Sequence, residues 1–179
     1  MSIAPSTIIV FFLVTASAYS DKPSVLQREV VLNASSASEE SAYNQIRKIF
    51  GDGSVESPDL FKGNHAGVEH IRIRDDPDVG ACFDFYLYRD EDGDRDVAWP
   101  KGQRRQRNEI KGYKGSEAGL KATRGQVVRY HWLFRINGKI SVTKQFCHFF
   151  QLKAVGGDNT ESPIFTISGS IVDGQSQLE

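Results

Sequence analysis

Short apolar runs separated by polar breaks rich in Gly, Asp and Asn make up most of the chain, a pattern typical of β structure. Period-two alternation and enrichment in Val, Ile, Phe and Tyr predict seven strands. These strands lie at residues 27–32, 68–74, 81–89, 104–113, 126–136, 143–154 and 163–171. No helical period separates them, so the pattern favours a β-sandwich over a parallel βαβ arrangement.

One stretch near the N-terminus has a helical period instead, and we predict a short helix at residues 36–50. The apolar residues that share one face of this helix are Tyr43, Ile46, Ile49 and Phe50. Ser36 and Glu39 have the spacing of a capping box at its start. Gly51 follows the last turn, where a residue in the left-handed conformation commonly ends a helix.

The chain opens with an apolar run at residues 8–14, followed by small residues at Ala16 and Ala18. This pattern predicts a signal peptide at residues 1–18 and therefore a secreted, extracellular protein. The run is much shorter than the ~20 residues that a membrane-spanning helix needs, so we expect no membrane association after the signal is removed. A buried N-terminal strand is the alternative interpretation.

The length of 179 residues is that of one domain with short additions. After the signal we expect an N-terminal extension at residues 19–60, which carries the helix, and a β-sandwich domain at residues 61–179. The 22 Lys and Arg residues nearly balance the 23 Asp and Glu residues, and the net charge is −1. A nucleic-acid-binding protein would carry a basic excess, so we expect no nucleic-acid partner. We also expect a monomer.

The most unusual segment, residues 101–114, holds six basic residues and one acid. In the strand predicted there, one face carries Arg105, Arg107, Glu109, Lys111 and Tyr113. The planar fork of arginine matches the two oxygens of a carboxylate, so this row is a candidate binding site for a substrate carboxylate. A charge-rich edge strand that guards against aggregation is the alternative.

A second polar pair, Gln151 and Lys153, lies on one face of the Phe-rich strand predicted at residues 143–154. The amide of Gln151 could bind a carboxylate or a sugar hydroxyl, and Lys153 could neutralise negative charge. His148 falls on the apolar face of this strand, so we expect a core histidine there. His70 and His131 fall on polar faces of their strands, so we expect them at the surface.

The acidic run at residues 90–96 suggests a weak calcium site built from Asp90, Asp92 and Asp94. It lacks the glycine and the final glutamate of an EF-hand, and an acidic turn between strands is the alternative. Cys82 and Cys147 both fall on the polar faces of their strands. A disulfide between them is possible if these strands are neighbours, and two small buried thiols are the alternative.

Three blocks of the chain together resemble the glucuronan-lyase type of polysaccharide lyase and, more distantly, the alginate-lyase jelly rolls. The blocks are R-Q-R-N-E-I-K at 105–111, T-R-G-Q-V-V-R-Y-H-W-L-F-R-I at 123–136 and H-F-F-Q-L-K-A-V-G-G-D at 148–158. The resemblance covers roughly residues 65–170. It implies an all-β, concanavalin-like jelly-roll sandwich. In that family further strands follow, so we expect an incomplete copy at the C-terminus.

The resemblance implies β-elimination on an acidic, uronic-acid polysaccharide, with no required cofactor. By position, Arg107 and Gln151 would neutralise the substrate carboxylate, and Lys153 would stand beside them. Tyr88 would act as an acid–base group, where the family commonly has a histidine. Arg105, Glu109, Lys111 and Tyr113 would bind the substrate.

Two further hypotheses fit the same residues. A non-catalytic module that binds acidic carbohydrate would keep the cationic groove without turnover, and an inactive, truncated copy would do the same. A purely structural extracellular β domain would leave the rows at residues 105–113 and 151–153 without a role.

Overall fold

Strands dominate the computed structural model, and the protein is of the all-β class with little helix. The structure describes residues 6–10, 12–17, 28–61, 65–88, 91–92, 106–123, 125–136, 142, 147–156, 158 and 160–178. The strands are β1 (Ser6–Val10), β2 (Phe12–Ser17), β3 (Arg28–Leu32), β4 (Val55–Glu56), β5 (Ile71–Asp76), β6 (Gly80–Leu87), β7 (Glu109–Ile110), β8 (Val127–His131), β9 (Phe134–Ile136), β10 (Cys147–Lys153), β11 (Pro163–Val172) and β12 (Gln175–Leu178). The helices are α1 (Ala42–Phe50) and three short 3-10 helices, at Asp52–Ser54, Pro58–Leu60 and Ala118–Leu120.

The chain divides into two compact units, residues 1–137 and residues 138–179. Unit 1 contains a four-stranded sheet in the order β5-β6-β1-β9, a three-stranded sheet in the order β3-β2-β8 and the pair β4-β7. Unit 2 contains the sheet β10-β11-β12. All of these pairings are antiparallel.

The two main sheets of unit 1 are joined by two chain segments that run side by side. β1 pairs with β9 in one sheet, and β2 pairs with β8 in the other. The two pairs have the same register: Val10 faces Phe134 in the first pair, and Leu13 faces His131 in the second. The strand predicted at 126–136 is therefore two strands, one in each sheet.

Solvent exposure alternates through β8 and β9 as the period-two pattern predicts. Val127, Arg129 and His131 are exposed, whereas the residues between them are half-buried. Tyr130 and Phe134 pack against the core from this less exposed face. The prediction of an exposed His131 is confirmed, and so is the apolar face of this segment.

The hydrophobic core of unit 1 lies where α1 meets β3, β5 and β6. The buried members are Leu32, Ala42, Tyr43, Ile46, Phe50, Val55, Ile71, Phe83 and Phe85. Three of them, Ile46, Ile71 and Phe83, are completely removed from solvent. The helix of the expected N-terminal extension is thus packed into the same core as the central strand β6.

The helix starts later than the sequence predicts. Its N-cap is Ser41, whose Oγ accepts a hydrogen bond from the Asn44 N–H at 3.3 Å, so the capping box predicted at Ser36 is wrong. The side chain of Gln45 instead ties down the preceding turn through hydrogen bonds with both backbone groups of Ser35. The predicted end is confirmed, because Gly51 has a φ of 92° and donates its N–H to the Arg47 carbonyl.

Only Glu109–Ile110 forms a strand in the described part of the segment predicted as a strand at 104–113. The preceding residues are attached by their side chains instead of by a backbone ladder. Asn108 donates its amide to the Tyr86 carbonyl at 2.9 Å, and Gln106 donates to the Tyr88 carbonyl at 3.0 Å.

A hairpin that the sequence analysis missed ends the described part of unit 2. β11 and β12 are joined by Asp173 and Gly174, which have φ values of 50° and 77°. Two successive residues with positive φ are characteristic of the tightest hairpin turns, and Asp-Gly is one of the dipeptides that favours them. The signal for β12 was therefore present in the sequence.

The N-terminal run forms β1 and β2, as in the alternative interpretation of residues 8–14. The structure is that of the uncleaved chain, so the cleavage after Ala18 stays a prediction. Within the part of the chain that the structure describes, no helix is long and apolar enough to cross a membrane.

Truncation of Ile46 should destabilise unit 1 strongly, because its side chain is completely buried in the core. We expect Ile46→Ala to lower the free energy of unfolding by about 2–5 kcal/mol, measured by urea denaturation. Ile49→Ala removes the same atoms from the same helix at a position that is 38% exposed. A loss as large for Ile49→Ala as for Ile46→Ala would contradict this assignment of the buried face.

Candidate functional site

His70 is a buried histidine held between two carboxylates. It directly precedes β5 and is 0% exposed. Its Nδ1 lies 3.1 Å from Asp59 Oδ1, and its Nε2 lies 2.8 Å from Asp92 Oδ1. The prediction of a surface position is wrong, because the two carboxylates satisfy both ring nitrogens and so compensate for the burial of a polar ring.

Asp92 connects His70 to a second imidazole. Its Oδ1 also lies 2.9 Å from His65 Nδ1, and its Oδ2 accepts the Tyr88 N–H at 2.6 Å. Burial favours the neutral form of this carboxyl, but the hydrogen bonds from His70, Tyr88 and His65 outweigh burial. The pKa of Asp92 is therefore held below its usual value.

Asp59 is fixed by two hydroxyl groups as well as by His70. Its Oδ1 accepts hydrogen bonds from Tyr43 at 2.7 Å and from Ser57 at 2.6 Å. Burial, as the largest cause, raises the pKa of Tyr43 to about 12, so its phenol stays protonated and can donate. The Tyr43 oxygen in turn accepts the backbone N–H of His70 at 2.9 Å.

These contacts favour the charged form of His70. Burial lowers the pKa of an imidazole, but the hydrogen bond with Asp92 and the negative charges of Asp92 and Asp59 outweigh it. The pKa of His70 is therefore raised above its usual value. An ionised carboxylate only accepts hydrogen bonds, so the positions of Asp59 and Asp92 suit a ring that donates from both nitrogens.

His65 lies at the edge of this group, with a side chain that is 16% exposed. Its Nε2 lies 3.2 Å from Glu91 Oε2, on the side of the ring opposite Asp92. The backbone φ of His65 is 22°, which costs a residue other than glycine about 1–3 kcal/mol. Such strain is retained where the surroundings fix the residue, and it commonly marks functional sites.

Tyr88, predicted as an acid–base residue, packs against both imidazoles. It follows the last residue of β6, and its ring is edge-to-face with His65 at 4.9 Å and with His70 at 5.4 Å between centroids. Its carbonyl accepts the backbone N–H groups of Glu91 and Asp92, which fold back in a turn. We refer to His65, His70, Asp59, Asp92 and Tyr88 as the His70 cluster.

In the segment at residues 106–108, the first and third side chains donate hydrogen bonds to backbone carbonyls of the His70 cluster. Gln106 donates to the carbonyls of Tyr88 and Asp92, and Asn108 donates to the carbonyl of His70 at 2.7 Å. Arg107, between them, makes its ion pair with Glu56, which is not a member of the cluster.

Glu56 is the buried carboxylate that orients the predicted cationic row. It is 1% exposed, and it forms ion pairs with Arg107 at 2.8 Å and with Lys111. Burial raises the pKa of a carboxyl, but hydrogen bonds from Lys111 and Arg107 and their charges outweigh it, so the pKa of Glu56 is lowered. Glu109, predicted to bind substrate, lies opposite Glu56 in the β4–β7 pair.

Tyr113, predicted to bind substrate, packs against the backbone of glycine residues. A Cβ atom built on Gly53 would lie 2.6 Å from the Tyr113 ring, and one built on Gly115 would be equally close. The ring therefore requires glycine at these positions, and Tyr113 has a packing role whether or not it also binds a ligand.

Gln151 and Lys153 belong to unit 2, where both are exposed on β10. Their shared face is confirmed, but a groove shared with Arg107 in unit 1 stays a prediction. His148 is also exposed, and its Nδ1 lies 2.7 Å from Ser168 Oγ, so the prediction of a core histidine is wrong. The reason is a register shift between β10 and β11, which interrupts the simple alternation between residues 148 and 150.

The remaining predicted residues are only partly described. Arg105, Asp90 and Asp94 lie outside the described residues. Of the three aspartates predicted to bind calcium, the structure therefore describes only Asp92. Cys82 and Cys147 are free thiols in this structure, and a disulfide between them stays a prediction. Burial raises the pKa of both thiols, which disfavours the reactive thiolate.

The His70 cluster combines groups that exchange protons with groups that bind metal ions. One ligand atom each from His65, His70 and Asp92 lies within 4.8 Å of the other two. Two imidazoles and one carboxylate are a common ligand set for transition-metal ions. The adjacent phenol and imidazoles are also candidates for general acid–base chemistry.

Sequence reasoning missed His65, Asp59 and Glu56, and it assigned no role to His70. No residue spacing identifies them, since Asp59 and Asp92 reach His70 from 11 and 22 positions away.

Comparisons with protein-family models, with curated proteins and with solved structures found no match to this chain. Its function is therefore inferred from the His70 cluster and from the ion pairs of Glu56 with Arg107 and Lys111.

Loss of the Glu56 carboxylate should leave the partly buried cations Arg107 and Lys111 without this ion-pair partner. We expect Glu56→Gln to lower the free energy of unfolding by about 1–3 kcal/mol at pH 7, measured by urea denaturation. The pKa of Glu56 is lowered in the folded state. Its contribution is therefore complete above the ordinary carboxyl pKa of about 4.3 and is lost as the pH falls through the lower, folded value.

The matched control is Glu69→Gln, at an exposed position of the same unit. Its effect should stay within about 0.5 kcal/mol at every pH. Equal stability of Glu56→Gln and the wild type at pH 7 would contradict the role given to Glu56. So would a difference between them that does not shrink in acid.

Proposed function

We propose that this protein is a secreted, polysaccharide-lyase-like protein that cleaves an acidic, uronic-acid polysaccharide by β-elimination. In this reaction a base removes the proton at C5 of a uronate, negative charge grows on the carboxylate, and the glycosidic oxygen leaves from C4 with a proton. The proposal includes a concanavalin-like jelly-roll sandwich, to which the all-β class of the described residues conforms.

The observation that carries the proposal is the environment of Tyr88. Its ring packs against His65 and His70, and its backbone is fixed by Asp92 and Gln106. A phenol held rigidly beside protonatable rings is a suitable acid–base group, since proton transfer requires a fixed position at the reacting atom.

Carboxylate neutralisation is assigned to the cationic residues Arg107 and Lys111, which Glu56 holds. The Arg107 and Lys111 side chains are 23% and 31% exposed, and both have the direction imposed by Glu56. Gln151 and Lys153, exposed on β10, are proposed to bind the substrate as well. Arg105, Glu109 and Tyr113 are proposed to contact the polymer beyond the reacting sugar.

A second candidate function is a non-catalytic module that binds acidic carbohydrate. One observation favours it: both Arg107 and Lys111 are engaged by a carboxylate of the protein itself, Glu56. Two cations held in this way can attract an anionic polymer by their charge. They need not contact the carboxylate of one reacting sugar, as catalysis would require. In either function the proposed partner is an acidic polysaccharide that binds to a monomer, and calcium is a proposed structural ion of the acidic turn.

Removal of the Tyr88 hydroxyl should abolish most of the activity. With glucuronan or alginate as substrate, the conjugated C4–C5 double bond of the product is followed by its ultraviolet absorbance. We expect Tyr88→Phe to reduce the rate by about 10²-fold or more, the usual contribution of a positioned acid–base group. The ring contacts with the imidazoles are retained in this variant.

The matched control is Tyr130→Phe, because Tyr130 lies on β8 in a different sheet from β6. Its rate should equal that of the wild type. No absorbance change from folded wild-type protein that binds the polymer would establish the second candidate function instead. Equal rates for Tyr88→Phe and the wild type would show that the acid–base group is another residue.

A further inference from the structure

We propose that His65, His70 and Asp92 form a binding site for a divalent transition-metal ion of the zinc class. The inference goes beyond the proposed function and does not depend on it. It rests on the convergence of three ligand atoms, on a partner that orients one of the ligands, and on the balance of charge around them.

The ligand atoms already lie close to a coordination geometry. Asp92 Oδ1 is 2.8 Å from His70 Nε2 and 2.9 Å from His65 Nδ1. In a tetrahedral zinc site with ligand distances of about 2.0–2.1 Å, neighbouring ligand atoms are about 3.3 Å apart. These two separations would therefore lengthen by about 0.5 Å around the ion, which would replace the protons now shared between the imidazoles and the carboxylate.

The second ring nitrogen of His70 has the partner that metal-bound histidines characteristically have. Its Nδ1 faces Asp59 Oδ1 at 3.1 Å, and Asp59 is itself fixed by Tyr43 and Ser57. A carboxylate at this position fixes the tautomer and the direction of the ring, so that Nε2 is presented to the metal. Asp59 is thus a positioning residue of the proposed site and not a ligand.

Charge also favours a cation in this position. Asp59, Asp92 and Glu91 place three carboxylates around two imidazoles, and the side chain of Asp92 is 0% exposed. A dication bound to Asp92 would compensate negative charge that water cannot reach, which is otherwise costly. Glu91 Oε2, 3.2 Å from the other nitrogen of His65, is well placed to support that ring.

The donor set selects the class of metal. Two imidazole nitrogens and one carboxylate oxygen suit Zn²⁺ and its neighbours Co²⁺ and Ni²⁺. Calcium prefers six to eight oxygen ligands, so the same atoms make a poor calcium site. Three protein ligands also leave a coordination position open for water or for an oxygen anion such as a carboxylate.

The test is calorimetric titration of the chelator-treated full chain with Zn²⁺ alone. We expect one ion per chain, and we expect His65→Ala to weaken its binding by at least about 10-fold. Asp59→Asn should weaken binding by about 10–100-fold, as loss of an outer partner does. Co²⁺ in place of Zn²⁺ should give the visible absorption of a four-coordinate ion, which the His65→Ala variant should lose.

His131→Ala is the matched control, because His131 is exposed and belongs to a different sheet. It should bind Zn²⁺ as the wild type does. Unchanged Zn²⁺ affinity in His65→Ala, no binding of Zn²⁺, or displacement of bound Zn²⁺ by an equal amount of Ca²⁺ would each overturn the proposal. These readouts need no polysaccharide, so their failure is distinguishable from failure of the proposed function.

Discussion

The buried ring of His70, with one carboxylate at each nitrogen, is the interaction on which the rest of the site depends. An imidazole with no access to solvent is costly unless both of its nitrogens have partners. Asp59 and Asp92 supply these partners. Because they come from distant parts of the chain, the requirements of one ring fix the relative positions of several segments.

Those segments include most of the residues proposed to act on a ligand. Asp92 anchors the turn after β6 and so fixes the Tyr88 backbone, while Asp59 connects the ring to the phenol of Tyr43 on α1. Asn108 adds the loop before β7 through the His70 carbonyl. Both proposed chemistries, acid–base transfer at the phenol and coordination of a metal ion, use side chains or backbone groups that take part in these contacts.

The elements that local pattern determines were predictable, and the site was not. Apolar periodicity correctly placed the alternation in β8 and β9 and three of the four residues predicted for the buried face of α1, since burial repeats along each element. The fourth, Ile49, is exposed. The Asp173-Gly174 turn could also have predicted β12. The contacts of His70 could not be predicted, because side chains far apart in sequence meet only after packing. For the same reason Glu56, which pairs with Arg107 and Lys111, was overlooked.

The most direct test of this account is the protonation state of His70 in chelator-treated protein, observed by ¹H–¹⁵N nuclear magnetic resonance of the imidazole nitrogens. An ordinary histidine has lost its second proton above a pKa of about 6.5. We predict that His70 keeps protons on both nitrogens to a higher pH than an ordinary histidine does, and that these protons exchange slowly with water because the ring is buried. A His70 ring that loses its second proton at or below the ordinary pKa would contradict the arrangement between Asp59 and Asp92.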